Sequence, residues 1–230
     1  MRALVIQHEH DGPAGLVGDH LRDRGFDVDV VQVMQAGSTM SDVAFPDPTT
    51  YDVIVPLGSV HSVYDHATIG SWVGRELELL RVAHAGDVPV FGICFGAQAI
   101  AAALGGSVER APEHEIGWYH YQCAASFPVA AGPWFSWHDD RCVLPDGAEI
   151  LAHNDLCPQA FRIGRTVGVQ FHPEVTLDLV AAWTSKCSPA YFAQRSTTAE
   201  ALLDGFERHG STAARHAGAL FDWFLDSVAS

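Results

Sequence analysis

The segment VPVFGICFGAQAI, Val88 to Ile100, is the stretch of this chain that decides its fold. It begins with an apolar run of strand length, passes through Cys94 with a glycine two positions away on each side, and ends in small apolar residues. A short apolar run bounded by glycine indicates a buried strand, and the run from Ala97 to Leu104, which stops at Gly105, indicates a helix. The segment therefore predicts a strand, a tight turn at Cys94 and a helix.

The same alternation of strand and helix extends over the first half of the chain. Gly15 to Arg24 reads as a short helix stopped by Gly25, and Ile69 to Ala83 has a helical period with Glu76 among the charged residues off the apolar stripe. Runs of strand length occur at Ala3 to Gln7, Asp27 to Val33, Asp52 to Pro56 and Val88 to Ile93. This order predicts an α/β fold with a central, mostly parallel sheet flanked by helices.

The second half has a different pattern. Short apolar runs are separated by Pro, Gly and Asp, which indicates strands and hairpins added to the main sheet: Trp118 to Cys123, Glu149 to His153, Gln159 to Ile163 and Val167 to Phe171. From Leu177 onward the pattern is helical, ending in an amphipathic helix over Ala213 to Val228. We expect one domain, residues 1–230, with a C-terminal helical extension over about 177–230.

Composition excludes several classes of function. Hydrophobic residues make up 48% of the chain, charged residues 18%, and the formal net charge is −15. An acidic globular protein lacks the basic surface that nucleic acids and anionic membranes require, so neither is expected as a partner. The first ten residues offer no secretory signal, which predicts a cytoplasmic protein. The five cysteines include no CxxC pair, and neither a disulfide framework nor a zinc site is expected.

Cys94 sits in a G-x-C-x-G pattern between the predicted strand and the predicted helix. In a nucleophile elbow, glycines at these two places allow a sharp turn that presents the central side chain at the edge of the sheet. The N-terminus of the following helix favours the thiolate form. A single buried cysteine is more often inert packing, so the elbow pattern alone leaves both interpretations open.

The stretch QFHPE places His172 and Glu174 two residues apart at the end of a predicted strand. Alternation along an extended segment would direct both side chains to one side. A histidine oriented by a carboxylate is the arrangement that activates a thiol. Taken alone, the motif is also compatible with a surface histidine at a strand end.

Together, GICFGAQ and QFHPEV resemble the class I, or triad-type, glutamine amidotransferases. Further blocks follow in the order found in stand-alone relatives of the amidotransferase domain of GMP synthase: LGS with SVYD (57–65), ALGG (103–106), EIGW (115–118), WHDD (137–140), LPDGAEILA (144–152) and CPQAFRIG (157–164). The resemblance spans most of the chain. It implies the flavodoxin-like fold of that family.

The resemblance implies a role for each matching residue. Cys94 would be the nucleophile, His172 the base and acid, and Glu174 the residue that orients His172. The backbone N–H groups of Gly58 and Phe95 would form the oxyanion hole. The substrate would be held by a second set of residues: Gln98, Glu115, Ile116, Gly117 and Trp118.

The resemblance also implies the reaction, in which L-glutamine is hydrolysed through a γ-glutamyl thioester without a metal or other cofactor. The chain shows no P-loop that would mark a synthetase module, so a separate synthetase subunit is the expected consumer of ammonia. Two alternatives stay open. One is a γ-glutamyl peptidase acting on γ-glutamyl peptides, and the other is a catalytically idle binding or regulatory protein.

The chain also departs from the family pattern around the expected pocket. Leu57 and Ser59 stand where relatives commonly have glycine and proline, and Ala97 replaces a frequent histidine. The run His8 to Asp11 contains possible metal ligands, but adjacent residues at a strand end point to opposite sides, which favours a structural or loop role. His138 matches a histidine of the family's WH-D block, and its role is open.

Overall fold

The structure, a computed structural model, describes residues 1–229 and is built on one large sheet. Its strands, in chain order, are β1 (Arg2–Gln7), β2 (Asp27–Gln32), β3 (Val53–Pro56), β4 (Val90–Ile93), β5 (Ser107–Tyr119), β6 (Gln122–Cys123), β7 (Trp134–Val143), β8 (Glu149–His153), β9 (Pro158–Ile163) and β10 (Thr166–Val169). Eight of them form a sheet in the order β2-β1-β3-β4-β10-β9-β8-β6, while β5 and β7 pair separately.

The parallel part of the sheet carries the site. Strands β2, β1, β3, β4 and β10 pair in parallel, and β9, β8 and β6 extend the sheet in antiparallel order. All residues of β3, β4 and β10 are buried, as expected for central strands covered by helices on both faces. The predicted α/β fold with a mostly parallel sheet is therefore confirmed.

The added strands differ in detail from the prediction. The run predicted as one strand over Trp118 to Cys123 is divided, because residues up to Tyr119 pair with β7 and only Gln122 and Cys123 join β8. The run predicted over Val167 to Phe171 belongs to the parallel core beside β4. The β5–β7 pair is a separate antiparallel hairpin rather than an extension of the main sheet.

The helices cover both faces of the sheet. In chain order they are α1 (Gly15–Asp23), α2 (His66–Ile69), α3 (Val73–Ala85), α4 (Phe95–Ala103), α5 (Leu177–Ser185), α6 (Pro189–Ala193) and α7 (Ala199–Trp223), which continues as a π-helical turn over Phe224–Val228. No helix within residues 1–229 has the length and apolar composition needed to cross a membrane.

Two helix boundaries differ from the sequence-based prediction. The segment predicted as one helix over Ile69 to Ala83 is interrupted after Ile69, where Gly70 ends α2 and the backbone of Trp72 leaves the helical region (φ −136°). The last helix begins at Ala199 rather than Ala213, because the hydroxyl of Thr198 accepts a hydrogen bond from the N–H of Ala201 and caps it.

Candidate active site

Cys94 occupies a sharp turn between β4 and α4. Its backbone has φ 51° and ψ −106°, a strained conformation for a residue with a side chain. The flanking glycines make the turn possible, because a Cβ on Gly92 would lie 2.7 Å from the carbonyl carbon of Gly96, and one on Gly96 would lie 2.1 Å from the carbonyl oxygen of Pro56. The thiol is thereby held at the carboxyl end of the central strands, where open α/β sheets bind ligands.

His172 and Glu174 meet beside Cys94. Nδ1 of His172 lies 2.7 Å from Oε1 of Glu174, and both side chains are buried. The segment after β10 forms a turn at Pro173 and Glu174 rather than the extended run expected from the sequence, yet the two side chains still make contact. Helix α1 holds the turn in place, since the N–H of Leu16 donates to the carbonyl oxygen of Glu174 at 3.0 Å.

The charge state of His172 follows from its neighbours. Burial acts to lower the pKa of its imidazole, but the negative charges of Glu174 and Cys94 outweigh burial and raise the pKa well above the ordinary value of 6.5. The site therefore favours the protonated form of His172 next to the carboxylate of Glu174.

Two glutamines connect the sulfur of Cys94 to the buried interior. The side-chain amide of Gln170 donates to Sγ of Cys94 at 3.6 Å, and its oxygen accepts from Nε2 of Gln98 at 3.2 Å. Gln98 also lies 3.4 Å from the carbonyl oxygen of Asp140. Gln98 was identified from the sequence, whereas Gln170 was missed although it begins the QFHPE motif. An amide that contacts the sulfur can stabilise negative charge there.

Gly58 lies close to Cys94 and His172, in the loop after β3. A Cβ built on Gly58 would lie 3.2 Å from Cε1 of His172 and 3.8 Å from Cβ of Cys94. The N–H of Gly96 donates to the carbonyl oxygen of Leu57 at 3.0 Å, which attaches this loop to the first turn of α4. The backbone of Gly58 and the backbone of Phe95 are thus both adjacent to the candidate nucleophile.

These groups open into a cavity of about 470 Å³. Its rim is charged, with an ion pair between Lys186 and Asp11 and another between Arg110 and Asp139 at 3.4 Å. The residues lining it are Glu9, Asp11, Gly12, Gly58, Ser59, Val60, His61, Ser62, Cys94, Gln98, Arg110, Trp137, His138, Asp139, Asp140, His172, Glu174, Trp183, Lys186, Cys187 and Tyr191.

The cavity thus contains a thiol close to a histidine that is hydrogen-bonded to a carboxylate. Comparison with known proteins identifies the family of the chain. Residues 14–181 match the family described as glutamine amidotransferase class-I. The chain belongs to this family.

Individual relatives of the chain differ in length. The chain is 42% identical over 98 residues to a GMP synthase [glutamine-hydrolyzing] from Clostridium perfringens. This alignment covers 39% of the chain and 19% of that protein. The glutamine amidotransferase-like protein YfeJ of Salmonella typhimurium is 31% identical over 195 residues, with 78% of each chain covered. A crystal structure of a glutamine amidotransferase from Thermotoga maritima superposes with a TM-score of 0.83 over 99% of each chain, at 26% identity.

Part of the amidotransferase cavity is built from residues beyond the region that matches the family. Residues past 181 contribute one wall, formed by the end of α5, the following turn and α6: Trp183, Lys186, Cys187 and Tyr191. The indole N–H of Trp137 donates to the hydroxyl of Tyr191 at 2.9 Å, which attaches this wall to β7.

The EIGW block does not line the cavity of this amidotransferase. Glu115 is buried behind His138, with its Oε2 3.0 Å from Nε2 of that ring, and Ile116 and Trp118 pack in the apolar cluster beneath α7. Gly117 lies opposite Ser136 in the β5–β7 hairpin. The four residues expected to hold the substrate, Glu115, Ile116, Gly117 and Trp118, therefore lie outside the cavity lining. Glu115 contacts His138, and His138 lines the cavity.

Three potential metal ligands lie close together behind the cavity. Ligand atoms of Glu115, His138 and Cys157 are all within 4.8 Å of one another. Each already has a partner in the chain, because Glu115 accepts from Gln159 and Asn154 and the sulfur of Cys157 lies 3.2 Å from Nε2 of Gln159. Burial raises the pKa of Cys157 to about 12, so its thiol stays protonated at neutral pH. We interpret this group as a hydrogen-bonded support for His138.

The residues from His8 to Asp11 lie in two different environments. His8 is fully buried against Glu76, whereas Glu9 and Asp11 line the cavity. Sequence analysis missed this pair, because Glu76 was placed with the charged residues off the apolar stripe of its helix and is in fact 0% exposed. A buried carboxylate needs a partner, and His8 supplies it.

Proposed function

We propose that the protein hydrolyses the side-chain amide of glutamine through a γ-glutamyl thioester on Cys94. The observation that carries the proposal is the 2.7 Å contact between His172 and Glu174 beside a cysteine held in a strained elbow. Family membership supports glutamine as the substrate. The cavity provides room, since it exceeds the volume of one amino acid.

In the first half-reaction, the thiolate of Cys94 attacks the side-chain carbonyl carbon of glutamine. A carbon–sulfur bond forms and the carbonyl electron pair moves to oxygen, where the N–H groups of Gly58 and Phe95 would stabilise the negative charge. The carbon–nitrogen bond then breaks, His172 gives its proton to the departing nitrogen, and ammonia leaves. Glu174 keeps His172 oriented and favours its protonated form before transfer.

In the second half-reaction, neutral His172 takes a proton from water as the water oxygen attacks the thioester. The carbon–sulfur bond breaks, Cys94 leaves as a thiolate, and glutamate is released while His172 is protonated again. Gln170 supports both half-reactions by donating to the sulfur whenever it is negatively charged.

A separate synthetase subunit is the proposed consumer of the ammonia. The chain spans 19% of the length of the GMP synthase it matches and 78% of the length of the amidotransferase-like relative. A partner that carries the acceptor chemistry would dock over the cavity mouth, where the charged groups of Glu9, Asp11 and Lys186 lie.

A γ-glutamyl peptide is the second candidate substrate, and the additional wall favours it. Trp183 and Tyr191 give this wall an aromatic surface, with the centroid of the Trp183 ring 5.2 Å from that of His172. A leaving group larger than ammonia could pack there, and the chemistry at Cys94 would be unchanged. The third possibility, an idle binding protein, is disfavoured by the contact between His172 and Glu174, which such a protein has no need to keep.

Glutamate release from L-glutamine and from a γ-glutamyl dipeptide, measured in parallel, tests the proposal. We expect the Cys94→Ala variant to be inactive with both substrates. Cys123→Ala is the matched control, because Cys123 lies in β6 outside the cavity lining and takes no part in the proposed steps. Preference for glutamine supports the amidotransferase, preference for the dipeptide supports the peptidase, and no release above the Cys94→Ala background with either substrate contradicts both.

A further inference from the structure

His8 bridges two elements beneath the candidate oxyanion hole. It follows β1 directly and is 0% exposed. Its Nδ1 lies 3.0 Å from the carbonyl oxygen of Gly58, and its Nε2 lies 3.0 and 3.1 Å from the carboxylate oxygens of Glu76 on α3. One imidazole therefore connects the loop after β3 to a buried carboxylate on a helix.

The hydrogen-bond partners determine the protons on this ring. A carbonyl oxygen only accepts, so Nδ1 of His8 donates to Gly58, and the carboxylate of Glu76 accepts from Nε2. Burial acts to lower the pKa of His8, but the negative charge of Glu76 outweighs burial and raises the pKa above its ordinary value. The ring is thus an imidazolium whose two N–H groups are both used.

The same ring packs against the other residue of the candidate oxyanion hole. The centroids of the His8 and Phe95 rings are 4.7 Å apart with an edge-on geometry, and the Trp72 ring lies 5.3 Å away on another side. Phe95 follows the nucleophile and begins α4. His8 therefore contacts Gly58 through a hydrogen bond and Phe95 through packing.

Both peptide groups of Gly58 are fixed by hydrogen bonds to their carbonyl oxygens. The peptide before it is held through the Leu57 carbonyl by the N–H of Gly96 at 3.0 Å, and the peptide after it through the Gly58 carbonyl by His8. Because peptide groups are planar, the first bond fixes the N–H of Gly58, whereas the second fixes the N–H of Ser59 and acts on Gly58 by limiting rotation about its backbone. Glycine has wide conformational freedom, so without the second bond the loop could rotate about Gly58.

The outer side of the loop has its own attachment. Oε1 of Glu9 accepts from the hydroxyl of Ser59 at 2.7 Å and from the N–H of Val60 at 3.1 Å. His8 and Glu9 thus hold the loop from the buried side and from the cavity side. Of the two, only His8 contacts Gly58 itself.

We propose that His8, held by Glu76, is a positioning residue that sets the backbone of Gly58 for stabilising the oxyanion. The inference rests on the proposed function, because it assigns Gly58 to the oxyanion hole. Such a donor acts mainly on the transition state, so its misplacement lowers kcat while KM changes little. His8 touches neither the sulfur nor the substrate in this account and acts only through the loop.

Two double variants that differ in one methylene group test the assignment. In His8→Asn/Glu76→Gln, the amide nitrogen of the new asparagine lies near the former Nδ1 of His8 and can donate to the carbonyl oxygen of Gly58. In His8→Gln/Glu76→Gln, the amide nitrogen of the new glutamine at position 8 lies near the former Nε2 and cannot donate to Gly58. We expect kcat of the glutamine variant to fall at least about tenfold below that of the asparagine variant, toward the roughly 100-fold loss seen when an oxyanion donor is removed. KM should stay within about threefold. His10→Gln, at an exposed position nearby, is the control.

A second readout separates positioning from a general structural role. Alkylation of Cys94 by iodoacetamide needs the thiolate but no oxyanion hole, so we expect equal alkylation rates in both double variants. Equal kcat values, or alkylation rates that fall in parallel with kcat, would overturn the proposal.

A third readout does not depend on activity. Backbone order parameters of Gly58 and Ser59 should fall from about 0.85 toward about 0.6 in the His8→Gln double variant. If the wild-type protein releases no glutamate, the proposed function fails, and unchanged order parameters would separately overturn the positioning role. Should neither double variant fold, Glu76→Gln alone is measured, and unchanged kcat together with unchanged order parameters would overturn it.

Discussion

Oε1 of Glu174 lies 2.7 Å from Nδ1 of His172, and this contact determines the charge of the histidine beside Cys94. The carboxylate of Glu174 is buried, and the backbone carbonyl oxygen of the same residue accepts a hydrogen bond from the N–H of Leu16 at the start of α1. The contact between a turn after β10 and the first turn of α1 therefore places an acid–base group next to the elbow of β4.

Glu174→Gln should lower the pKa of His172. The glutamine keeps the shape of the side chain but removes the negative charge that raises this pKa above 6.5. Titration of the ring nitrogens by NMR, with the His172 signals assigned by their loss in His172→Gln, measures the change. Glu113→Gln, on the exposed part of β5, should leave the titration unaltered. An unchanged pKa in Glu174→Gln would show that the carboxylate does not control the histidine.

The stability contribution of His172 should depend on pH in a defined direction. Its folded-state pKa is raised above the unfolded value of about 6.5, so the contribution is fully present below about pH 6.5 and is lost as pH rises through the raised pKa. The difference in unfolding free energy between the wild type and His172→Gln, measured by urea denaturation, should therefore decrease above neutral pH. A difference that grows with pH would contradict the assignment of an imidazolium.

Gln170→Leu should slow alkylation of Cys94 severalfold. The substitution removes the amide that donates to Sγ at 3.6 Å and leaves Nε2 of Gln98 without one of its acceptors. A buried donor that loses its partner costs about 1–3 kcal/mol, so the unfolding free energy should also fall by this amount. Gln194→Leu, at an exposed position, is the control. If Cys94 in Gln170→Leu is alkylated at the wild-type rate, Gln170 does not act on the sulfur.

Gly96→Ala should destabilise the protein although alanine favours helices. Its Cβ would lie 2.1 Å from the carbonyl oxygen of Pro56, and relieving such an overlap costs about 1–3 kcal/mol or more. Gly218→Ala, in α7, meets nothing within 4 Å and should stabilise by about 0.5–1 kcal/mol through helix propensity. Thermal unfolding measures the change in stability of each variant relative to the wild type. Equal effects of the two substitutions would contradict the close approach at the elbow.

The elements that sequence could predict are those with local signals. The strand, turn and helix around Cys94 follow from an apolar run and two glycines, and the contact of His172 with Glu174 follows from a separation of two residues. Each of these patterns lies within a few consecutive positions, so its structure does not depend on contacts with distant segments.

The remaining features depend on contacts between distant segments. His8 and Glu76 are 68 residues apart, and a glutamate on a helix is ordinarily expected at the surface unless its partner is known. Similarly, Glu115 meets His138 only through the register of β5 on β7, so the EIGW block was expected at the substrate rather than behind the cavity wall. The pairing of β5 with β7 in a separate sheet depends on tertiary contacts, which the alternation of residue types does not specify.

Trapping of the acyl group by hydroxylamine tests the central claim most directly. If Cys94 forms a γ-glutamyl thioester, hydroxylamine competes with water for it, and the wild-type protein will produce γ-glutamyl hydroxamate from glutamine or from a γ-glutamyl dipeptide. Trapping does not require the thioester to accumulate, and Cys123→Ala, outside the cavity lining, should behave like the wild type.

The account predicts hydroxamate from the wild type and none above background from Cys94→Ala. Glutamate release by the wild type without hydroxamate, or hydroxamate formation by Cys94→Ala, would contradict covalent catalysis by Cys94.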